Sequence, residues 1–178
     1  MNDEAANILA GNSLVGNSDP ISHCYCGHQF GAFSGQLGDG RAISLGDIIA
    51  ENGELIDLNL KGAGITPFSR SGDGRAVLRS SIREFLCSEA VYGLGIPTTR
   101  AASLVVSQDT VKRDKLYTGK EVEEKCSVVM RVAPTFIRFG SLEIFKDKDE
   151  QTNISGPSRG MKKRMMPQIL DYLWSNFY

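Results

Sequence analysis

Apolar and polar positions follow two different periods along this chain. Ala42–Ile49 (AISLGDII) reads as a strand, and Leu55–Lys61 (LIDLNLK) alternates apolar with polar as a half-buried strand does. Asn52-Gly53 between them is a hairpin-type turn. Over residues 76–93 the period lengthens to that of a helix, with Val77, Leu78, Ile82, Phe85, Leu86 and Ala90 making one apolar stripe. Gly93, Gly95 and Pro97 then stop the helix. Residues 101–106 and 110–117 read as a pair of strands around Gln108-Asp109, 120–125 as a charged loop, and 126–132 (CSVVMRV) as a further strand. Beyond the polar stretch 146–156, residues 159–177 read as a second helix, with Met165, Ile169, Leu170, Leu173, Trp174 and Phe177 at its apolar or aromatic positions. Strands, one helix, more strands and another helix predict an α+β fold.

Composition narrows this only a little. A chain of 178 residues suffices for one domain with a real core. A net charge of −1 argues against wholesale nucleic-acid or membrane binding, and no apolar stretch approaches the roughly 18 residues a membrane span needs. The first twenty residues hold no Lys or Arg and no long apolar run, unlike a secretory signal or a basic transit peptide. Cys24, Cys26, Cys87 and Cys126 are too few for a disulfide scaffold and are expected as reduced thiols.

Candidate chemistry concentrates in a few places. Glycines at 27, 31, 35, 38 and 40 signal sharp turns or close approaches. Within them, residues 35–41 (GQLGDGR) lie ahead of a clear strand, where main-chain N–H groups can cradle phosphate oxygens or simply make a hairpin turn. No GxxxxGKS/T occurs, and a strand rather than a helix follows, so the run is neither a Walker A loop nor a dinucleotide fingerprint. Lys61 ends the next strand. A Gly-rich loop, a strand Lys and a helix Glu, here Glu84, follow the order of a protein-kinase N-lobe. Two plainer readings stand beside this: Ser81-Ile82-Arg83-Glu84 fits a capping box, and Lys61 snorkels to water.

Arg75, Arg79 and Arg83 recur every four residues, as a solvated basic face or as a wall toward a polyphosphate. Asp73 precedes that helix as a candidate N-cap, with Gly74 after it. Arg131 and Arg138 sit in apolar contexts and need anionic partners, through a structural salt bridge or a phosphate clamp. His23, Cys24, Cys26 and His28 resemble a metal cluster in composition, but their spacing departs from usual zinc sites. Arg159, Lys162, Lys163 and Arg164 read as a solvated helix face.

Taken together, YCGHQFGAFSGQLGDGRA, LNLKGAGITPFSRSGDGRAVLRSSIREFLCSEAVYGLGIPTTRA and VVMRVAPTFIRFGSLEIF resemble the selenoprotein O (SelO) family of protein adenylyltransferases, more closely its eukaryotic branch. The resemblance implies a protein-kinase-like fold that binds ATP flipped relative to kinases and moves AMP, with Mg2+, onto Ser, Thr or Tyr hydroxyls of proteins. It implies a nucleotide loop at Gly38, Gly40 and Arg41, a phosphate-binding Lys61 paired with Glu84, and a nucleotide-contacting pair Asp73 and Gly74. Arg131 and Arg138 become the two arginines that hold the flipped phosphates. The expected layout is an N-terminal lead-in over 1–26, a kinase-like N-lobe (twisted antiparallel sheet plus αC-type helix) over 27–145, and a linker with the first C-lobe helix over 146–178. The family's catalytic Asp and its metal-binding Asn and Asp fall beyond Tyr178, so no catalytic or metal-ligating residue is expected in this chain. A partial chain is the simplest expectation, and mitochondrial placement follows only from the eukaryotic likeness. Rival readings are an inactive nucleotide-binding scaffold, a kinase transferring the γ-phosphoryl group, and an arginine-based nucleic-acid module. The acidic balance and the lack of RNA or DNA motifs disfavour the last.

Overall fold

The computed structural model describes residues 3–177. The chain divides into two compact units, one formed by the residues up to Ser22 with Asp39–Phe136, the other by His23–Gly38 with the residues from Ile137 onward.

The first unit holds α1 (Asp3–Leu9) and a five-stranded antiparallel sheet. Its strands are β3 (Ala42–Ile49), β4 (Leu55–Lys61), β5 (Ala76–Val77), β6 (Arg100–Arg113) and β7 (Val122–Ala133), and α2 (Leu78–Gly93) follows β5. The hairpin expected at Asn52-Gly53 forms, closed by Gly53 N–H to the Ala50 carbonyl at 2.9 Å. β7 is central, pairing with β4 from Asp57↔Ala133 to Lys61↔Val129, with β5, and with β6. Its apolar run explains that place, since Cys126, Val128, Val129 and Met130 are all buried. Leu45, Leu60, Val128 and Met130 form the core on one face of the sheet, and Leu9 of α1 packs against them.

Several boundaries depart from the sequence expectation. Residues 101–106 and 110–117 are not a strand pair. Residues 100–113 run as one strand, and residues 107–109 stand opposite Cys126 alone between the pairs Val106↔Ser127 and Thr110↔Lys125. A β-bulge absorbs them, tightened by Asp109 N–H donating to Ser107 Oγ at 3.0 Å. The reversal comes later, where Asp114 accepts from the N–H groups of Leu116, Thr118 and Gly119. β7 begins at Val122, inside the expected charged loop, because Glu124 is buried against Arg79. α2 starts at Leu78 with Val77 as a bare N-cap, so Asp73 is not its cap and Glu84 is too deep in the helix for a capping box. The apolar stripe also points outward at Ile82 and Leu86, while Ser81 and Ser88 are the buried positions.

The second unit contains the hairpin β1 (Cys26–Gln29) and β2 (Ala32–Gln36), turned at Phe30-Gly31, both with positive φ as a two-residue loop of this kind requires. The short helix α3 (Phe139–Glu143) rests on β1, where Gly140 leaves no room for a side chain against the Cys26 carbonyl. The second predicted helix is a 3₁₀ turn over Arg159–Met161 followed by α4 (Lys162–Phe177), with Pro167 inside it. The glycine run is therefore not a hairpin: β2 pairs with β1 and β3 with β4, in different sheets. All four cysteines are free thiols.

Candidate functional site

Strand alternation sends Asp57, Asn59 and Lys61 of β4 to the face opposite the apolar core. Arg131, paired with Asn59 in register, joins them on that side. α2 covers this polar face with a stripe at Ser81, Glu84 and Ser88, three and four residues apart. Ser127 Oγ donates to Ser81 Oγ at 2.8 Å, which locks the helix to β7.

Lys61 Nζ meets Glu84 Oε2 at 2.7 Å, at a partly open edge where their side chains are 37% and 30% exposed. Such a pair adds only about 0–1 kcal/mol to stability, so what it chiefly does is fix the ammonium in space. On its other side Glu84 Oε1 lies 3.8 Å from Arg131. The Arg131 guanidinium is buried, donating to Ser88 Oγ at 3.0 Å, to the Thr99 carbonyl at 2.7 Å and to Thr99 Oγ1. Burial pulls its pKa down, outweighing the charges of Glu84 and Glu89, which act to raise it.

Gly40 and Arg41 arrive beside Lys61 by register. Ala42 pairs with Lys61, and Gly62 N–H donates to the Arg41 carbonyl at 2.7 Å. The backbone just before is strapped down from the segment after β4: Thr66 Oγ1 donates to the Asp39 carbonyl and Ser69 Oγ to the Gly40 carbonyl, each at 2.6 Å. At Gly40 a Cβ would lie 2.9 Å from the Phe68 carbonyl oxygen.

Asp73-Gly74 packs onto the same stretch. Gly74 has φ +66°, and a Cβ there would stand 1.9 Å from the Gly64 oxygen, so only glycine fits. Asp73 accepts the Arg75 N–H at 2.9 Å and the Arg113 guanidinium at 2.7 Å. Burial alone pushes the Asp73 carboxyl up. The Arg113 and Arg75 hydrogen bonds, with the charges of Arg113 and Arg41, outweigh that and hold it below the usual carboxylate range.

One unit thus gathers Gly40, Arg41, Lys61, Asp73, Gly74, Glu84 and Arg131. Gly38 and Arg138 belong to the second unit. There Leu37 N–H, beside Gly38, donates to the Tyr25 carbonyl at 2.8 Å, and the Arg138 guanidinium lies over the Tyr25 ring at 4.5 Å. Arg75, Arg79 and Arg83 do not line one helical face, as either a solvated basic face or a wall: Arg75 precedes the helix and pairs with Asp109 at 3.2 Å, and Arg79 forks onto buried Glu124. Thr66, Ser69, Ser88, Thr99 and Arg113 carry no spacing signal, because each meets its partner across tens of residues. Among the described residues no three His, Cys, Asp or Glu side chains gather as a metal-holding group.

The family model described as protein adenylyltransferase SelO matches residues 1–159. The chain belongs to the SelO family. It is 60% identical over 175 residues to the mitochondrial protein adenylyltransferase SelO of Mus musculus, and 59% identical to that of Homo sapiens. Each alignment covers 98% of this chain and 26% of the relative. The protein nucleotidyltransferase YdiU of Methylobacillus flagellatus is 54% identical over 92% of this chain and 32% of its own length. The chain therefore spans about a quarter to a third of the length of these SelO and YdiU relatives.

Proposed function

We propose that this chain is the ATP-binding part of a protein adenylyltransferase. In this reading residues 27–145 form a kinase-like N-lobe with α2 as its αC-type helix, and 146–178 hold a linker and the first C-lobe helix. Lys61 stands as a fixed point charge for phosphate oxygens, Glu84 holds it, and the backbone at Gly40 and Arg41 lies alongside. Asp73 and Gly74 shape the adjoining turn; Arg131 is carried as a phosphate-holding arginine on the family likeness, while its buried guanidinium lies 3.8 Å from Glu84. For Gly38 and Arg138 the reading rests on the family likeness alone. The full reaction would be attack by a Ser, Thr or Tyr hydroxyl of a protein on the α-phosphorus, with pyrophosphate leaving. Mg2+, when bound with ATP, would supply neutralising charge. The residues here contribute positioning and electrostatics, the main sources of catalysis in phosphate transfer.

The Lys61–Glu84 contact at 2.7 Å carries this reading. A lysine that ends a strand and is clamped by a carboxylate from an unrelated element, beside a glycine loop strapped by Thr66 and Ser69, is arranged for an anion. The test is ATP affinity by titration calorimetry, where Lys61→Ala should weaken binding about tenfold, equivalent to ~1.4 kcal/mol. Unchanged affinity would sink the reading. With a polypeptide of the relatives' full length, label should pass to protein from ATP marked at the α position. Label passing only from the γ position would make it a kinase, and a mitochondrial residence would be checked by fractionation of the native protein.

A further inference from the structure

Arg113, near the end of β6, carries no local signal in the sequence, yet it reaches Asp73 across 40 residues of chain. Its Nη2 lies 2.7 Å from both Asp73 oxygens, while Nη1 donates to the Lys112 carbonyl at 2.9 Å, which fixes the plane of the guanidinium. Two residues after Asp73, Arg75 returns the contact with its charges reversed. Its Nη2 meets Asp109 Oδ2 at 3.2 Å and its Nη1 reaches the Ala63 carbonyl at 3.3 Å. Two oppositely oriented ion pairs thus staple the Asp73–Arg75 stretch to β6. The β6 bulge includes Asp109.

We propose that Arg113 is a positioning residue for nucleotide binding, holding and neutralising the Asp73 carboxylate so that the Asp73-Gly74 turn can face a polyphosphate. The proposal rests on the ATP-binding reading above and deepens it. Stability alone is a poor account of the clasp, because all four side chains are about one-third exposed or more and such pairs contribute little. Electrostatics gives a better one. A bare carboxylate beside the Lys61 edge would repel a triphosphate, and Arg113 cancels it. Arg41, whose charge also reaches Asp73, is left to act on the anion. Arg113 acts through Asp73 and touches no reacting atom.

The experiment compares ATP affinity of this chain with those of R113Q, D73N, the double variant, R113K and R79Q. R113Q should weaken binding about three- to tenfold, a typical effect for losing one charge-assisted contact. Adding D73N to R113Q removes the uncancelled carboxylate and should recover part of the loss, and R113K should restore part of the affinity. R79Q, which breaks a different arginine pair, should lower the melting temperature yet leave affinity unchanged. The Asp73 carboxyl, followed by carbon-13 NMR, should titrate higher in R113Q than in the unaltered chain. Unaltered affinity in R113Q, losses that multiply in the double variant, or an unmoved Asp73 titration would each overturn the proposal. If K61A binds weakly while R113Q binds normally, only the Arg113 proposal falls. An unaltered chain that takes up no ATP removes the nucleotide reading and this proposal together.

Discussion

Glu84 serves two cations that live in different surroundings: Lys61 at an open edge and Arg131 in the interior. Glu84→Gln keeps the shape and removes the charge, so the buried guanidinium loses its nearest counter-ion. The expected cost is about 1–2 kcal/mol in urea unfolding, because the Ser88 and Thr99 contacts remain. ATP affinity should fall along with it, since Lys61 is no longer held. Gly74 sets a different kind of limit. Gly74→Ala must relieve a 1.9 Å clash with backbone at a positive φ, so it should destabilise by more than about 1 kcal/mol. Gly53→Ala has open space around it and should cost only the backbone strain, about 1 kcal/mol or less. A Gly74→Ala protein as stable as Gly53→Ala would contradict the close packing described here.

α2 is fastened along its length, and the fastening is pH-sensitive. Near its end Glu89 accepts the Arg100 guanidinium at 2.6 Å and the Ala101 N–H at 3.0 Å, and Arg100 lies over the Tyr92 ring at 3.6 Å. The Arg100 hydrogen bond first, and the Ala101 N–H second, hold the Glu89 carboxyl down at about 2. A carboxyl depressed in the folded state stabilises fully above its unfolded pKa, near 4.5, and loses that contribution as pH falls toward 2. Urea midpoints of Glu89→Gln should therefore vary less between pH 5 and about 2.5 than those of the unaltered chain. At this scale the sequence was partly legible. Alternation exposed β4, an apolar run exposed β3, and the stops at Gly93 and Gly95 closed α2. The buried face of α2 was not readable, because Ser81 and Ser88 look like surface residues until Ser127 and Arg131 are there to satisfy them. β6 was misread for a related reason: Gln108-Asp109 can turn a chain or bulge it, and only the continuing ladder with β7 decides.

For the molecule as a whole, a net charge of −1 is matched by pairing within the first unit, where Lys61, Arg75, Arg113 and Arg131 each meet a carboxylate. The pairing of Lys61 with Glu84 was legible from element order, since a strand end and a following helix are neighbours. The Arg113–Asp73 contact was not, because nothing in the local pattern links residues forty apart. Binding of ATP to this unit should stabilise it by mass action. At a hundred times the dissociation constant the gain is about 2.7 kcal/mol, or roughly 5–11 °C in melting temperature for a domain of this size. Lys61→Ala should remove most of that shift, as differential scanning fluorimetry would read. The two-faced character of β4 carries one more consequence. A slip of its pairing by a single residue would drive the Lys61 ammonium into the oily layer around Leu60 and Met130, and turn leucines toward the serines of α2. The ladder therefore rejects misaligned versions of itself while folding, with the charge of Lys61 acting as its own proofreader.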